Sequence, residues 1–153
     1  MNVDYKIASR HSISARLLKV LNLLVDKDQS YGVPCRFIYV NVAFIRHVVD
    51  CCSLSTALFS LDQERAFDSG VDWSSMSSIL LSMGFGPFFV KWVDLFYFNS
   101  RSSVNVNSYA SESFSLSRGG RKGSTLSLVL YILVVEALAC SIRANPYICG
   151  LLS

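Results

Sequence analysis

Asp62 is the residue whose type and place most invite chemistry. It follows the apolar run Ala57-Leu58-Phe59-Ser60-Leu61 and opens the stretch Asp62-Gln63-Glu64-Arg65-Ala66-Phe67-Asp68. A carboxylate at the end of a buried strand is well placed to hold Mg²⁺, which takes hard oxygen ligands, one or two carboxylates plus substrate phosphates. The plainer alternative is that Asp62 caps a turn and Asp68 pairs with a nearby base, because lone carboxylates are usually solvated. A second cluster is Arg118-Gly119-Gly120-Arg121-Lys122-Gly123. Its glycines let backbone N–H groups approach a phosphate, and arginine forks onto phosphate oxygens. A Walker loop places its lysine after the glycine, whereas Lys122 precedes Gly123. The plain alternative here is a solvated exit from a hairpin. A weaker third feature is the turn from Gln29 to Arg36, which carries a cation and the aromatic Tyr31. Ser124 and Ser127 have no histidine at a suggestive position, so a hydrolase triad has no support.

These groups need elements to hold them. Leu17, Leu21 and Leu24, widened by Leu18 and Val25, recur at helical spacing and predict a helix from about Tyr5 to Val25. The polar stretch Asp26 to Pro34 ends in glycine and proline and reads as a loop. Phe37, Val40, Phe44, Ile45 and Val48 share one face of a second helix, Phe37 to Cys51. Ala57 to Leu61 reads as a buried strand. Asp72 can cap a helix reaching Met83 and closed by Gly84. Pro87 opens another, with the stripe Phe89, Trp92, Val93 and Phe96. The wider aromatic set, with Phe88, Tyr97 and Phe98, reads as core rather than a base-stacking platform. Ser103 to Asn107 and Ser113 to Ser117 alternate with period two about a polar stretch, which predicts a β-hairpin. A long apolar helix, Leu126 to Arg143, follows the basic loop. Helices, one strand and a hairpin together predict an α+β or mixed α/β fold.

Composition narrows the classes. The 153 residues suffice for one domain and are few for two, and 52% hydrophobic against 16% charged excludes wholesale disorder. A net charge of +3 is too small to argue for or against nucleic acid. Mean hydropathy is high at +0.40, which raises a membrane segment or a piece of a larger protein. The best span, Leu126 to Cys140, contains Ser127 and Glu136. A carboxylate at mid-bilayer costs roughly 2.5–3.5 kcal/mol, so no membrane partner is expected, though a membrane-associated helical protein stays open. Asp4, Lys6 and Arg10 interrupt any signal-peptide core, which places the chain in cytoplasm or nucleus. The five cysteines (Cys35, Cys51, Cys52, Cys140, Cys149) include no CxxC pair and read as reduced, mostly buried thiols. Neither His11 nor His47 has a cysteine at finger spacing, so a structural zinc site is not expected.

In this order and spacing the features resemble part of the reverse transcriptase domain of a non-LTR, LINE-type retrotransposon. Asn2 to Arg10 resembles the start of the fingers helix, and Asp28 to Pro34 resembles the family's turn Gln-x-x-Gly-x-x-Pro-Gly-Arg, more tightly spaced. Ser60 to Asp68 resembles motif A, the most specific piece. Arg118 to Ser127 resembles motif B, written Arg-Gly-x-Arg-Gln-Gly-x-Pro-x-Ser-Pro. The resemblance implies residues 1–54 as fingers-like helices and 55–153 as an incomplete palm of a right-hand polymerase, helices with a small incomplete sheet and a hairpin. It implies Asp62 as a ligand of the catalytic Mg²⁺ ions, with the Gln63 carbonyl beside it. Phe67 would be the aromatic gate under the incoming sugar, and Asp68 structural. Arg121, Lys122 and Gly123 would line the nucleotide pocket. The partners implied are an RNA template, a DNA primer and deoxynucleoside triphosphates, and the reaction is two-metal nucleotidyl transfer.

The sequence departs from that pattern. The family's second carboxylate set, a Tyr/Phe-Ala-Asp-Asp turn, has no counterpart, so the chain reads as a central slice that is inactive alone. Lys122 stands where glutamine is usual, Thr125 and Leu128 where prolines are, and Cys35 where the turn has glycine. The link Asp68 to Asp72 is one residue longer than usual. A second reading therefore stands beside the first: a vestigial, non-catalytic nucleic-acid-binding protein from a decayed element. Uncovered apolar faces predict poor solubility or non-specific self-association.

Overall fold

A computed structural model of the chain describes residues 7, 13–51, 57–64, 71–120 and 123–148. In chain order its helices are α1 (Ala15–Leu24), α2 (Ile38–Cys51), α3 (Trp73–Ser82) and α4 (Pro87–Tyr97). Four two-residue strands follow, β1 (Arg101–Ser102), β2 (Asn105–Val106), β3 (Tyr109–Ala110) and β4 (Phe114–Ser115), and then α5 (Thr125–Arg143). The fold is α+β.

The apolar sequence of α5 makes it the centre. Leu126, Val129, Leu130, Ile132 and Leu133 are buried along it, and each such side chain contributes about 1.5–3 kcal/mol of burial. α1 and α3 both pack on α5, and α4 packs on α3. α1 presents Leu17 and Leu21, one turn apart, with Val25 just beyond its end. By length and composition α5 is long and apolar enough to cross a membrane. The helix runs unbroken through Ser127 and Glu136 as expected, and both polar residues are buried with a partner. Ser127 Oγ meets Tyr97 Oη at 3.3 Å, and Glu136 pairs with Arg143 two turns on.

The loop after α1 is held by one side chain. The last carbonyls of a helix lack intrahelical donors. Arg36 returns to them, donating from Nη2 to the carbonyls of Asn22 at 3.2 Å and Val25 at 3.3 Å. Its Nη1 reaches the carbonyls of Asp26 and Gln29. The cation that sequence alone marked as a weak binding feature is thus a clamp on α1. The same loop touches α5 at Gly32. A Cβ built there would lie 2.8 Å from Ile132 Cδ1, and φ is +67°, so glycine serves both the approach and the turn.

α3 forms as its caps dictate. The Asp72 carboxylate accepts from the N–H groups of Ser74 and Ser75 at 3.1 and 3.2 Å. At the far end Phe85 N–H donates to the Leu80 carbonyl and Gly84 N–H to the Leu81 carbonyl, the paired bonds of a Schellman close, with Gly84 at φ 84°. Pro87 starts α4. Its buried stripe is Val90, Val93 and Tyr97, with Phe89 and Phe96 half-buried. Trp92, Phe88 and Phe98 are exposed, which corrects the reading of the aromatic set as core.

The hairpin is present with a different inner register. β1 pairs with β4 and β2 with β3, all antiparallel. Three residues, 111–113, oppose two, 103–104, between the ladders, so the second strand carries a bulge. Asn107 and Ser108 turn the tip with φ of 50° and 70°, both in the left-handed region that a type I′ turn needs. The strand expected over Ala57 to Leu61 is not one. Residues 57–63 are irregular, with Phe59 84% and Leu61 85% exposed. A strand is stable only in a ladder, and among the described residues no strand lies beside this run. α2 forms as expected but buries none of its residues. Cys35, Cys51 and Cys140 are exposed, which corrects the expectation of buried thiols; Cys52 and Cys149 lie outside the described residues.

Candidate functional site

Asp62 and Gln63 lie on the irregular segment 57–64, and a hydrogen bond links this segment to α5. Tyr131 Oη donates to Gln63 Oε1 at 2.9 Å. The phenol is held above its ordinary pKa, first by burial, then by the charges of Asp62 and Tyr31. Tyr131 therefore stays a donor through the neutral range, and Asp62 is close enough to act on it. The Asp62 carboxylate is exposed. It has water access and can take a cation.

The glycine loop lines a crevice with the same tyrosine. Gly119 N–H donates to the Val71 carbonyl at 2.8 Å, and Trp73 Nε1 donates to the Gly119 carbonyl at 2.8 Å. These bonds tie the loop to the start of α3, with Gly119 in the left-handed region at φ 87°. Gly119 and Gly120 line a crevice of about 10 Å³ together with Tyr131, Ser127, Leu130, Tyr97, Met76 and Val71. That is the least volume that holds one water, so this crevice is not a nucleotide pocket. Its polar edge is Tyr97 and Ser127, and Trp73 packs on the Tyr97 ring with centroids 5.2 Å apart.

Beyond the crevice the loop enters α5. Gly123 is exposed at φ 77° with open space where a Cβ would stand. Ser124 follows as the N-cap of α5 without a side-chain cap bond. Its Oγ is buried and meets no hydrogen-bond partner among the described residues. The N–H groups of a helix N-terminus attract anions, and Arg118 stands exposed at the start of the loop.

Of the residues singled out from sequence, Asp62 and Gln63 come together at Tyr131, and Gly123 begins the helix that carries Tyr131. Phe67, Asp68, Arg121 and Lys122 lie outside the described residues. Sequence reasoning missed Tyr131, whose signal is a single phenol in the otherwise aliphatic run Leu128 to Val135. It also missed the orphaned Ser124 hydroxyl.

No family model matches the chain. It is 39% identical over 146 residues to the Transposon TX1 uncharacterized 149 kDa protein of Xenopus laevis. The chain is similar to a transposon protein. The match takes in 94% of the chain and 11% of the Xenopus protein, so the chain spans about a tenth of that relative's length. The similarity supports an origin in a mobile element.

Proposed function

We propose that the chain is a fingers and palm segment of an RNA-directed DNA polymerase from a non-LTR retrotransposon. The observation that carries the reading is the meeting of two segments distant in sequence. The aspartate stretch that resembles motif A docks by Gln63 on Tyr131, in the helix opened by the loop that resembles motif B. In a polymerase the metal-binding carboxylate and the nucleotide-binding loop must face one substrate, and Tyr131 is common to both here.

The roles of the residues follow from the resemblance, and for Asp62, Gln63 and Tyr131 the observed contacts support them. The exposed Asp62 carboxylate would hold Mg²⁺, a cation that prefers hard oxygen ligands. When bound, the metal lowers the pKa of the primer hydroxyl and offsets charge on the transferred phosphoryl group. Arg118, Arg121 and Lys122 attract the triphosphate and the backbone of template and primer. The orphaned Ser124 hydroxyl and the α5 N–H groups suit a phosphate oxygen. Tyr131 positions the Asp62 segment through Gln63.

Asp62 is the one member of the family's metal-binding set with a counterpart in these 153 residues. The isolated chain is accordingly expected to add no nucleotides to a primed RNA template in Mg²⁺ or Mn²⁺. Incorporation that vanishes in Asp62→Ala would overturn that inactivity while supporting the polymerase assignment.

The second reading is a decayed copy that binds nucleic acid without catalysis. Cys35 favours it, since it adopts φ 62° where the family's turn carries glycine. Salt-sensitive binding to primed RNA without an Asp62-dependent activity in any longer context would select this reading.

A further inference from the structure

α2 carries a surface that the described part of its own chain leaves open. Phe37, Val40, Phe44, His47 and Cys51 follow one another at alternating steps of three and four residues, the spacing of a coiled-coil seam. All five are exposed. The helix is attached to the body by a different stripe. Asn41 Nδ2 donates to the Asp28 carbonyl at 2.8 Å and to Ser30 Oγ at 3.1 Å, and Val48 on the same stripe is half-buried. That stripe lies about 70° around the helix from the seam, which leaves the seam free to meet another helix.

The last two seam positions, His47 and Cys51, are residue types that ligate zinc, and their spacing of four residues corrects the reading that neither histidine has a cysteine at ligand spacing. Cys51 Sγ and His47 Nδ1 are joined by a hydrogen bond of 3.6 Å, which holds the two side chains on one side of the helix. A tetrahedral zinc ion with Zn–S of about 2.3 Å and Zn–N of about 2.0 Å holds its sulfur and nitrogen donors about 3.5 Å apart. The pair is already spaced to share one ion. Two ligands fill half of a tetrahedral shell, and among the described residues no three His, Cys, Asp or Glu side chains of one chain converge on a point. The other half must come from elsewhere.

We propose that two copies of this chain pair in parallel along α2 and close a Cys₂His₂ zinc site from His47 and Cys51 of each copy. Parallel pairing follows from the seam itself. It sets like against like at each level, so Phe37, Val40 and Phe44 meet their equivalents and the two ligand pairs meet at one end. Antiparallel pairing sets Cys51 against Phe37 and gathers no second pair. The site is also balanced in charge. Each Cys51 thiol gives its proton to solvent on binding and His47 stays neutral, so Zn²⁺ with two thiolates carries no net charge beside an apolar seam. The inference is independent of the polymerase reading, because none of these residues belongs to the Asp62 site.

The test is a Co²⁺ titration of the full chain, read by absorption and by sedimentation. The expected result is a thiolate-to-cobalt charge-transfer band with tetrahedral ligand-field bands, saturating at one metal per two chains. A doubling of mass should accompany it, with zinc as with cobalt, and EDTA should reverse it. Cys51→Ser and His47→Gln should each abolish the band and the mass change, while Cys52→Ser leaves both. Phe44→Glu lies outside the ligand set on an exposed face. It should keep the far-UV spectrum and weaken metal affinity at least tenfold by blocking pairing. Saturation at one metal per chain, binding that survives Cys51→Ser, or metal binding without a change of mass would each overturn the proposal.

Discussion

Gly32 and Cys35 show how much single backbone positions decide in this chain. Both sit in the left-handed region within one loop, at φ of 67° and 62°. Gly32 suits its place because it has no Cβ to meet Ile132. Cys35 occupies a conformation that costs a side chain about 1–2 kcal/mol. The two positions should therefore respond oppositely in urea unfolding. Gly32→Ala is expected to lose about 1–3 kcal/mol by overpacking against α5, and Cys35→Gly to gain about 0.5–1 kcal/mol. Asp62 makes a residue-scale prediction of its own. Its charge helps to hold the Tyr131 phenol above its ordinary pKa, after burial. Asp62→Asn should lower the Tyr131 pKa toward the usual tyrosine value, measurable by NMR titration of the ring Cζ. An unchanged titration would mean that the carboxylate is not beside the helix. Nothing local in the sequence announced this contact, because Gln63 and Tyr131 are 68 residues apart.

At the scale of elements, legibility follows the range of the interactions that make each one. α3 was readable nearly to the residue, since Asp72, Gly84 and Phe85 act on backbone groups within a turn of themselves. The hairpin was readable as a hairpin, but its bulge was not, because the extra residue between the ladders shows only in the pairing. The run Ala57 to Leu61 has strand composition without a strand neighbour, and composition cannot supply the ladder. α4 was readable as a helix, whereas its buried side was misjudged. The buried stripe is Val90, Val93 and Tyr97, while the Trp92 indole lies outside. The Asp72 cap also makes a pH prediction. Hydrogen bonds from Ser74 and then Ser75 hold its carboxyl below the ordinary carboxylate pKa. A depressed folded-state pKa gives stability that is present above the unfolded value and lost as pH falls through the folded one. Thermal melts should thus find Asp72→Ala less stable than the parent at neutral pH, with the gap closing in acid below the ordinary carboxylate range. A gap that widened in acid would contradict the cap.

Across the whole molecule, one apolar helix organises α1, α3 and α4, and much apolar surface is left outside. Phe59, Leu61, Phe88 and Phe98 are each about four-fifths exposed, and α2 buries nothing. Uncovered patches of this kind favour association. They also explain why hydrophobic periodicity located the helices well and their burial less well, since periodicity reports which face seeks cover and not whether cover exists in the chain. The candidate site follows the same rule. Its carboxylate and glycine loop were visible as residue types, and their convergence on Tyr131 was not. The central claim is that Asp62 is the metal-binding carboxylate of a polymerase segment. Its most direct test is a chimera in which this chain replaces the matching segment of the Xenopus 149 kDa protein, assayed for primer extension on an RNA template. The account predicts template-dependent incorporation that Asp62→Ala abolishes while the protein stays folded. Incorporation that persists undiminished in Asp62→Ala would contradict it.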